Sequence, residues 1–275
     1  MIISRHAGKT NKPMATNLIK SFRNSIPSII TMLNLLSGCM AILLSFQDIM
    51  LAGLLVMLAG VFDFVDGLAA RILGAYSEMG RELDSLADIV SFGVAPSFIL
   101  FHLISSALFE GMPFIVISLT GTESVILASA FLPVVFAAIR LARYNLSSGK
   151  DDAFRGLPSP ASGIFIASVG YTGATTGSAL IQYLILNTGV LVAMSITLSI
   201  LMVSPLSMFS IKFRNFRLTD NKIRYAFLLP SALIVVYMGL AAIPAIIIYY
   251  ILLSVIISLV PGKSGSKGNH RNRGT

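Results

Sequence analysis

Residues 63–88 read DFVDGLAARILGAYSEMGRELDSLAD, and they place four aspartates within 26 residues of a mostly apolar chain. Asp63 and Asp66 are three residues apart, and Asp84 and Asp88 are four apart, so each pair shares one face of a helix. The residues between the pairs, 69–81, include Gly74, Gly80 and two arginines, and they predict the cytoplasmic connection between two antiparallel helices. We therefore expect two neighbouring helices to present their carboxylate pairs to each other.

The composition around this stretch is that of a membrane protein. The chain has 275 residues, of which 55% are apolar and 12% charged, against about 25% charged in a soluble domain. Its mean hydropathy is +0.85. These values exclude a cytosolic enzyme, a disordered chain and a small secreted domain, and they predict an all-α polytopic bundle of transmembrane helices. Cys39 is the only cysteine, which excludes an intrachain disulfide and a cysteine-based metal site.

Apolar segments of about 20 residues predict helices that cross a membrane. Eight such segments are predicted, at residues 27–45, 49–72, 84–107, 122–143, 160–181, 184–207, 225–241 and 243–260. The run 159–211 contains no charged residue and is too long for one helix, so it must fold back once. Turn signals at 175–177 and 187–189 bracket the position at which the chain reverses.

The basic residues lie on one side of the predicted membrane topology. The net charge of +8 comes from 20 Lys and Arg against 12 Asp and Glu, and long apolar runs separate the cations into blocks at 5–23, 71–81, 140–155, 212–224 and 263–273. When the eight spans are threaded through a bilayer, all these blocks fall on one face. The positive-inside rule then predicts that both termini are cytoplasmic, in a cell inner or plasma membrane. This pattern argues against a nucleic-acid partner.

The predicted organisation has four parts. Residues 1–26 form a cytoplasmic or interfacial segment, 27–210 a catalytic transmembrane core, 211–260 a cytoplasmic loop with two additional spans, and 261–275 a disordered basic tail. Apolar residues in the first part recur at helical spacing beside Lys20 and Arg23, which favours a helix lying in the inner leaflet.

Four carboxylates at membrane depth need a positive partner, because each costs roughly 2.5–3.5 kcal/mol to insert and like charges repel one another. Ligands that are all oxygens favour a hard divalent cation such as Mg²⁺ or Mn²⁺. Four carboxylates can hold two such ions, an arrangement that clamps a phosphoryl group during displacement. Zinc is disfavoured because none of the three histidines lies near the aspartates in the sequence.

The residues beside the aspartates fit a phosphate-containing ligand. Gly67, Ala70 and Gly80 are small enough for a substrate to approach the helix backbone closely. Arg71 can pair with a phosphate or with the nearby carboxylates. Its alternative role is that of an ordinary charge anchor at the membrane surface. Ser77 could donate a hydrogen bond.

These residues form the pattern D-x2-D-G-x2-A-R-x8-G-x3-D-x3-D, which resembles the signature of the CDP-alcohol phosphatidyltransferase family at every fixed position. The pattern covers 26 residues, and the polytopic topology extends the resemblance loosely over the chain. The resemblance implies a core of six transmembrane helices. The last two predicted spans are then an extension, to which we assign no chemistry.

Three further stretches resemble the phosphatidylserine synthase branch of that family: LDSLADIVSFGVAP at 83–96, RLARYN at 140–145 and FRGLPSPA at 154–161. The first span, with IPSIITMLN at 26–34, is also similar to this branch. The resemblance implies transfer of the phosphatidyl group of CDP-diacylglycerol to the hydroxyl of L-serine, with release of CMP. It also implies a homodimer that acts among membrane lipids.

The resemblance further implies roles for single residues. Asp63, Asp66 and Asp84 would ligate the metals, and Asp88 would contact one metal and serve as the general base. The cytidine diphosphate part of the substrate would be bound by residues of the signature and of the first span, namely Asp66, Gly67, Ala70, Arg71, Ser77, Gly80 and Asn34.

Candidates for binding the acceptor follow from its charge. The carboxylate of serine needs a cation, and Arg140, Arg143 and Arg155 lie on the predicted cytoplasmic face. Arg140 and Arg143 are three residues apart at the end of a span, so they share a side that can border the cavity. Asn145 is a polar group near the same span end that could hydrogen-bond a substrate. The alternative is that these arginines only anchor the topology.

The sequence leaves other functions open. Within the same family, the acceptor could be glycerol phosphate, inositol phosphate or another alcohol. From another class, an ion transporter also carries acids inside the membrane. Against a transporter, the acids cluster near one surface and the fifth to eighth spans carry none. A purely structural scaffold is disfavoured by the cluster of carboxylates.

Overall fold

The computed structural model describes residues 14–110, 119–146, 156–177, 179–185, 187–206, 208 and 221–259, without the side chains of 14–22, 24 and 259. Every regular element in this part of the chain is helical. The α-helices, in chain order, are α1 Met14–Leu44, α2 Ile49–Leu73, α3 Glu78–Asp88, α4 Ala95–Leu108, α5 Gly121–Ala128, α6 Leu132–Leu146, α7 Ser159–Thr175, α8 Ala179–Ile185, α9 Thr188–Val203, α10 Lys222–Met238 and α11 Ile243–Leu259. A π-helical segment, Ile89–Val94, joins α3 to α4, and 3₁₀ turns at Ser129–Phe131 and Gly239–Ala242 join α5 to α6 and α10 to α11.

These helices confirm the predicted class, an all-α polytopic bundle. Among the described residues, five helical stretches are long and apolar enough to cross a membrane, and the bent pair of α8 and α9 would make a sixth. One of the five, Lys222–Ser258, contains both α10 and α11. It folds back at Gly239, because the Phe227 and Tyr249 ring centroids are 5.7 Å apart, whereas a straight helix would separate these residues by about 33 Å. We call residues 222–259 the C-terminal hairpin.

The helix bounds differ from the predicted spans at three points. The predicted boundary after residue 26 falls inside α1, which continues from Met14 through Pro27. The third span begins at Glu78, before the predicted start at 84, because Ser77 caps the helix there. The fold-back between α7 and α9 contains the short helix α8, whose Gln182 side chain donates hydrogen bonds to the carbonyl oxygens of Gly173 and Thr176.

Some predicted features lie outside the described residues. These are residues 1–13 of the N-terminal segment, most of the basic loop at 209–220, the tail from 260 onward and Arg155.

Small residues bring the helices around the π-helical segment into close contact. A Cβ atom on Gly38 of α1 would lie 2.5 Å from Ser91 Oγ, and one on Gly163 of α7 would lie 2.7 Å from the backbone of Phe92. Close approach of this kind stabilises helix pairs in a membrane, where lipid tails remove the hydrophobic driving force for helix association. The π-helical segment therefore lies at the centre of the bundle, with α1 and α7 packed against it.

Pro96 explains why the helix changes form at this point. Proline has no backbone N–H, so the α-helical hydrogen bond that residue 96 would donate cannot form. The N–H of Ala95 donates instead to the carbonyl oxygen of Val90, five residues earlier. That bond is the defining feature of a π-helix, a rare form that often occurs at functional sites. Here it begins directly after Asp88.

Two residues shape the connection between α2 and α3. Gly74 ends α2 in a left-handed conformation, φ 60° and ψ 33°, and its N–H donates to the carbonyl oxygens of Ala70 and Arg71. Ser77 begins α3 by accepting a hydrogen bond from the N–H of Gly80 at 2.9 Å. Both helices pack against α1, which is their common neighbour.

Gly156 links the start of α7 to the end of α9. Its φ is 77°, its N–H donates to the carbonyl oxygen of Leu206 at 2.8 Å, and the N–H of Leu157 donates to that of Leu201 at 2.9 Å. A Cβ atom at residue 156 would lie 2.3 Å from the carbonyl oxygen of Met202. Only glycine fits this position.

Replacing Gly156 with alanine is expected to destabilise the fold. The left-handed conformation alone costs a residue with a side chain about 1–3 kcal/mol, and the added Cβ overlaps the Met202 carbonyl. We expect a lower midpoint of thermal unfolding in detergent. Gly121→Ala is the matched control, because a Cβ there meets nothing within 4 Å. Equal midpoints for the two variants would contradict the assigned backbone conformation.

Candidate active site

Three aspartates from two helices converge on one point. Asp63 and Asp66 lie on α2 and Asp84 on α3, and each offers a carboxylate oxygen such that all three atoms lie within 4.8 Å of one another. Asp66 is 6% exposed, and Asp63 and Asp84 are half-buried. The structure therefore brings together three of the four aspartates that the spacing singles out. We call them the carboxylate triad.

The carboxylate triad could hold a metal ion. Three negative charges this close repel one another unless a cation lies among them, and no Lys or Arg in the described part of the chain forms an ion pair with them. Arg81 instead pairs with Glu82 at 3.6 Å. Asp84 Oδ1 is buried without a hydrogen-bond partner, which leaves an oxygen for a ligand. A donor set made only of carboxylate oxygens suits a hard divalent cation.

Asp88 has a different environment from the carboxylate triad. It lies one turn beyond Asp84 on α3 and is 8% exposed. The side-chain amide of Asn34 donates to its Oδ1 over 3.5 Å. Asn34 is itself fully buried, and its backbone carbonyl accepts a hydrogen bond from Ser91 Oγ at 2.9 Å. Helix α1 and the π-helical segment therefore position Asp88 together.

Thr31 on α1 contacts the carboxylate triad directly. Its Oγ1 lies 2.7 Å from Asp66 Oδ2 and 3.0 Å from the carbonyl oxygen of Pro27. Both Thr31 and Asp66 are buried, so the hydroxyl orients this carboxylate in a low-dielectric setting. The sequence reasoning missed Thr31, because one hydroxyl in an apolar helix carries no signal of a partner on another helix. The one sequence feature that points to Thr31 is the similarity of residues 26–34 to the first span of the family branch described above.

The other residues of the signature lie at the facing ends of α2 and α3. Gly67 is exposed and a Cβ there would meet nothing within 4 Å, so its backbone is open to a ligand. Arg71 is exposed and Ala70 half-buried on the last turns of α2. Gly80 has a structural role, since a Cβ there would lie 2.9 Å from the Oγ of Ser77. Ser77 therefore acts first as the cap of α3.

The two arginines on α6 lie in different surroundings. Arg140 is half-buried, its Nη1 donates to Ser159 Oγ at 3.3 Å, and it interacts electrostatically with Asp88. Its Nε is buried without a hydrogen-bond partner. Arg143 is exposed. The two arginines therefore differ in burial, because α6 packs the side that carries Arg140 against the bundle and leaves Arg143 outside.

Asn145 at the end of α6 contacts α3. Its amide donates to Ser85 Oγ at 3.2 Å, and Ser85 directly follows Asp84. Asn145 Oδ1 is buried without a partner. Asn145 thus joins the end of α6 to α3, and neither Ser85 nor Ser159 was singled out from the sequence.

Buried polar atoms without partners surround the 84–88 turn of α3. They are Asn34 Oδ1, Asp84 Oδ1, Arg140 Nε and Asn145 Oδ1. Buried polar groups in proteins are nearly always hydrogen-bonded. One unpaired donor and several unpaired acceptors next to Asp88 therefore suit a polar ligand with both kinds of group.

Comparison with known families places all these residues in one matched region. The model of the family described as CDP-alcohol phosphatidyltransferase matches residues 24–201. That range contains the carboxylate triad, Asp88, Thr31 and Arg140, and it ends before the C-terminal hairpin.

Several curated proteins are similar to this chain over about half its length. The CDP-diacylglycerol–serine O-phosphatidyltransferase of Bacillus subtilis is 39% identical over 150 residues, which cover 54% of this chain and 77% of that protein. The protein of the same name from Methanocaldococcus jannaschii is 36% identical over 52% of this chain and 58% of that protein. The archaetidylserine synthase of Methanothermobacter thermautotrophicus is 32% identical over 54% and 59%. The chain thus spans less than two thirds of both archaeal relatives.

Proposed function

Because the chain belongs to the CDP-alcohol phosphatidyltransferase family, we propose that it transfers the phosphatidyl group of CDP-diacylglycerol to the hydroxyl of L-serine, giving phosphatidylserine and CMP. The carboxylate triad carries this proposal, since it lies inside the region that matches the family. Serine is supported as the acceptor because the B. subtilis and M. jannaschii relatives are serine phosphatidyltransferases.

Asp63, Asp66 and Asp84 are proposed to hold divalent cations, Mg²⁺ or Mn²⁺. The all-oxygen donor set and the unpaired Asp84 Oδ1 support this assignment. Asp88, one turn beyond Asp84 on α3, is proposed to contact one of the ions. When bound, the cations supply positive charge that offsets the pyrophosphate and the departing phosphate of CMP.

Asp88 is proposed as the general base. A neutral serine hydroxyl is a weak nucleophile, so its proton must be taken up as its oxygen bonds to the phosphorus that bears diacylglycerol. The bond from that phosphorus to the CMP oxygen breaks in the same displacement. Asn34 holds the carboxylate of Asp88 through its amide, which leaves the second carboxylate oxygen for the proton.

The nucleotide is proposed to lie over the facing ends of α2 and α3. Gly67 leaves its backbone open to close approach, and the exposed Arg71 offers a guanidinium for a phosphate oxygen. Asp66, Ala70, Ser77, Gly80 and Asn34 complete the proposed set, in which Ser77 and Gly80 act by fixing the start of α3.

The acceptor is proposed to bind between α3 and α6. Arg140 would pair with the serine carboxylate through its unpaired Nε, while Ser159 holds the other end of the guanidinium. Asn145 Oδ1 is a free acceptor for the serine ammonium group. Arg143, which is exposed, would contribute only its long-range charge.

The protein is proposed to lie in a cell inner or plasma membrane with both termini in the cytoplasm, since the basic blocks share one face. Serine and CMP would then exchange with the cytosol, while the diacylglycerol tails stay in the bilayer. A homodimer is proposed from the family resemblance.

Lipid product analysis tests the proposed function. The purified full-length chain is incubated with CDP-diacylglycerol and Mn²⁺ or Mg²⁺, and serine, glycerol phosphate and inositol phosphate are offered in parallel. We expect phosphatidylserine by mass spectrometry, and CMP release that needs both metal and serine. Product with another alcohol but none with serine would reject the acceptor. Cation flux into liposomes without any CMP release would instead support a transporter.

Removing the Thr31 hydroxyl is expected to weaken metal binding. Thr31→Val keeps the shape of the side chain but deletes the bond to Asp66, and loss of such an outer partner costs roughly 10–100-fold in metal affinity. We expect a higher Mn²⁺ concentration for half-maximal activity and a smaller thermal stabilisation by Mn²⁺. Thr31→Ser should restore both, and Thr175→Val, whose hydroxyl bonds only the Tyr171 carbonyl, is the control. An unaltered Mn²⁺ response in Thr31→Val would rule out this positioning role.

Arg140 and Arg143 are expected to differ in their effect on serine binding. Arg140→Gln removes a charged partner of the serine carboxylate, so the serine KM should rise about tenfold or more. The KM for CDP-diacylglycerol should stay the same. Arg143→Gln should change the serine KM by no more than about twofold, as expected for a surface residue. Equal effects of the two variants, measured by CMP release, would count against the proposed acceptor site.

A further inference from the structure

An apolar cavity lies between the core of the bundle and the C-terminal hairpin. Its volume is about 610 Å³, and its walls come from α7, α8, α9 and the hairpin. Val190 and Leu201 lie at the two ends of the lining part of α9, and they are about 16 Å apart along the helix axis. That length is close to half of the roughly 30 Å hydrocarbon core of a bilayer.

The cavity is distinct from the proposed active site. Phe165, Val169 and Thr172 form one face of α7 and line the cavity. Gly163, on another face of the same helix, packs against Phe92 of the π-helical segment, and α7 also packs against α2. Helix α7 therefore stands between the cavity and the carboxylate triad.

The apolar walls of the cavity determine which kind of molecule can fill it. Protein interiors are close-packed, and a void deprives the atoms around it of dispersion contacts. Water needs several polar partners, whereas the walls are apolar apart from the hydroxyls of Thr172 and Thr197. At membrane depth the medium around the helices is hydrocarbon. The occupant that matches the walls, the length and the surroundings is a hydrocarbon chain.

A single buried polar atom marks one end of the cavity. Thr172 Oγ1 has no hydrogen-bond partner, and the residue is 4% exposed. Thr172 lies in the last turn of α7, which ends at Thr175, so it is near the end of the span. An acyl chain that enters from this side places its ester carbonyl at the depth of this hydroxyl.

We propose that the acyl chain of a bilayer phospholipid occupies this cavity and joins the C-terminal hairpin to the core, with the ester carbonyl at the head of the chain at the depth of Thr172. The lipid is not the substrate, because α7 separates it from the carboxylate triad. The proposal also gives a role to the C-terminal hairpin, which lies beyond the family match at 24–201. The hairpin forms one wall of the cavity.

Lipid retention in detergent tests the proposal. The full-length chain is extracted in mild detergent, and native mass spectrometry counts the phospholipids that remain bound. Ala193→Phe and Ala241→Phe place a ring on opposite walls of the cavity. We expect one retained phospholipid per chain, with occupancy about tenfold lower in either variant. Ala128→Phe, on exposed α5 surface outside the cavity, should retain lipid like the unmodified chain.

Two further measurements keep the result independent of folding and of catalysis. The unmodified chain is loaded with a phosphatidylglycerol that carries a photoreactive diazirine in its acyl chain, washed in detergent and illuminated. Labels should map to cavity-lining peptides of α9 and α11. CMP release should persist in Ala193→Phe, because the cavity is outside the active site. No retained lipid, equal retention in the filled variants, or labels confined to other surfaces would each overturn the proposal.

Discussion

Replacing Asp88 with asparagine is expected to lower the turnover of phosphatidyl transfer about 10²–10⁴-fold, the usual contribution of a general base. The amide cannot take up the proton of the serine hydroxyl at any pH at which the protein is folded. Binding of metal should persist, because Asp63, Asp66 and Asp84 meet without Asp88. The side chains have the same shape, so the contact with Asn34 can be kept and the fold should be unchanged.

Two measurements separate loss of the base from loss of the site. CMP release in a single turnover reports the chemical step, and the thermal stabilisation produced by Mn²⁺ reports metal binding. Asp88→Asn should lose the first and keep most of the second. Glu82→Gln is the matched control, since Glu82 is an exposed acid on the same helix that pairs with Arg81. Full activity in Asp88→Asn would remove the assignment of the base.

Replacing Asp66 with asparagine is expected to abolish the metal response itself. Asp66 is the most buried member of the carboxylate triad, at 6% exposed, and the amide replaces a charged ligand with a neutral one. We expect the loss to exceed the roughly 10–100-fold loss expected for an outer partner such as Thr31. Activity at fixed Mn²⁺ and the stabilisation by Mn²⁺ should fall together, unlike in Asp88→Asn.

Asp48→Asn provides the control for this variant. Asp48 caps α2 by accepting from the N–H of Leu51 at 3.0 Å, and asparagine is an equally good cap. Each variant removes one negative charge, Asp66→Asn from α2 and Asp48→Asn from its N-cap. Only Asp66 belongs to the carboxylate triad. If Asp66→Asn showed an unchanged dependence on metal concentration, the ligand assignment would be wrong.

The spacing of the aspartates was informative because helical periodicity is a local property. Residues three or four apart lie on one face wherever the helix is, so Asp63 and Asp66 could be placed together from the sequence alone. The hydrophobic segments likewise predict helices, since each must satisfy its own backbone within the membrane. The connection that contains Gly74 is also a local feature, and it predicts that α2 and α3 are antiparallel neighbours.

Partners on separate helices could not be predicted in this way. The bond between Thr31 and Asp66 joins residues 35 apart on two helices, and it depends on how α1 rotates about its own axis. The difference between Arg140 and Arg143 has the same origin. Both lie on the predicted cytoplasmic side, and only the packing of α6 decides which one is half-buried in the bundle and which one is exposed.

The cavity beside α9 also lies beyond what the sequence could predict. Hydropathy identifies the apolar segments at 225–241 and 243–260, but it does not report how closely they pack against the core. The gap between these segments and α9 depends on which side chains of the hairpin pack against the core. In the structure, α11 packs chiefly against α7.

The change of helical form after Asp88 has a consequence for the whole third span. A stretch with wider turns contains an extra residue relative to an α-helix, and one residue corresponds to about 100° of rotation around the axis. The span can thus aim its acidic half at one set of neighbours and its apolar half, Ala95–Leu108, at another. Deleting a single residue there would rotate one half of the helix relative to the other by that angle. The extra residue therefore allows one continuous span to pack in two orientations.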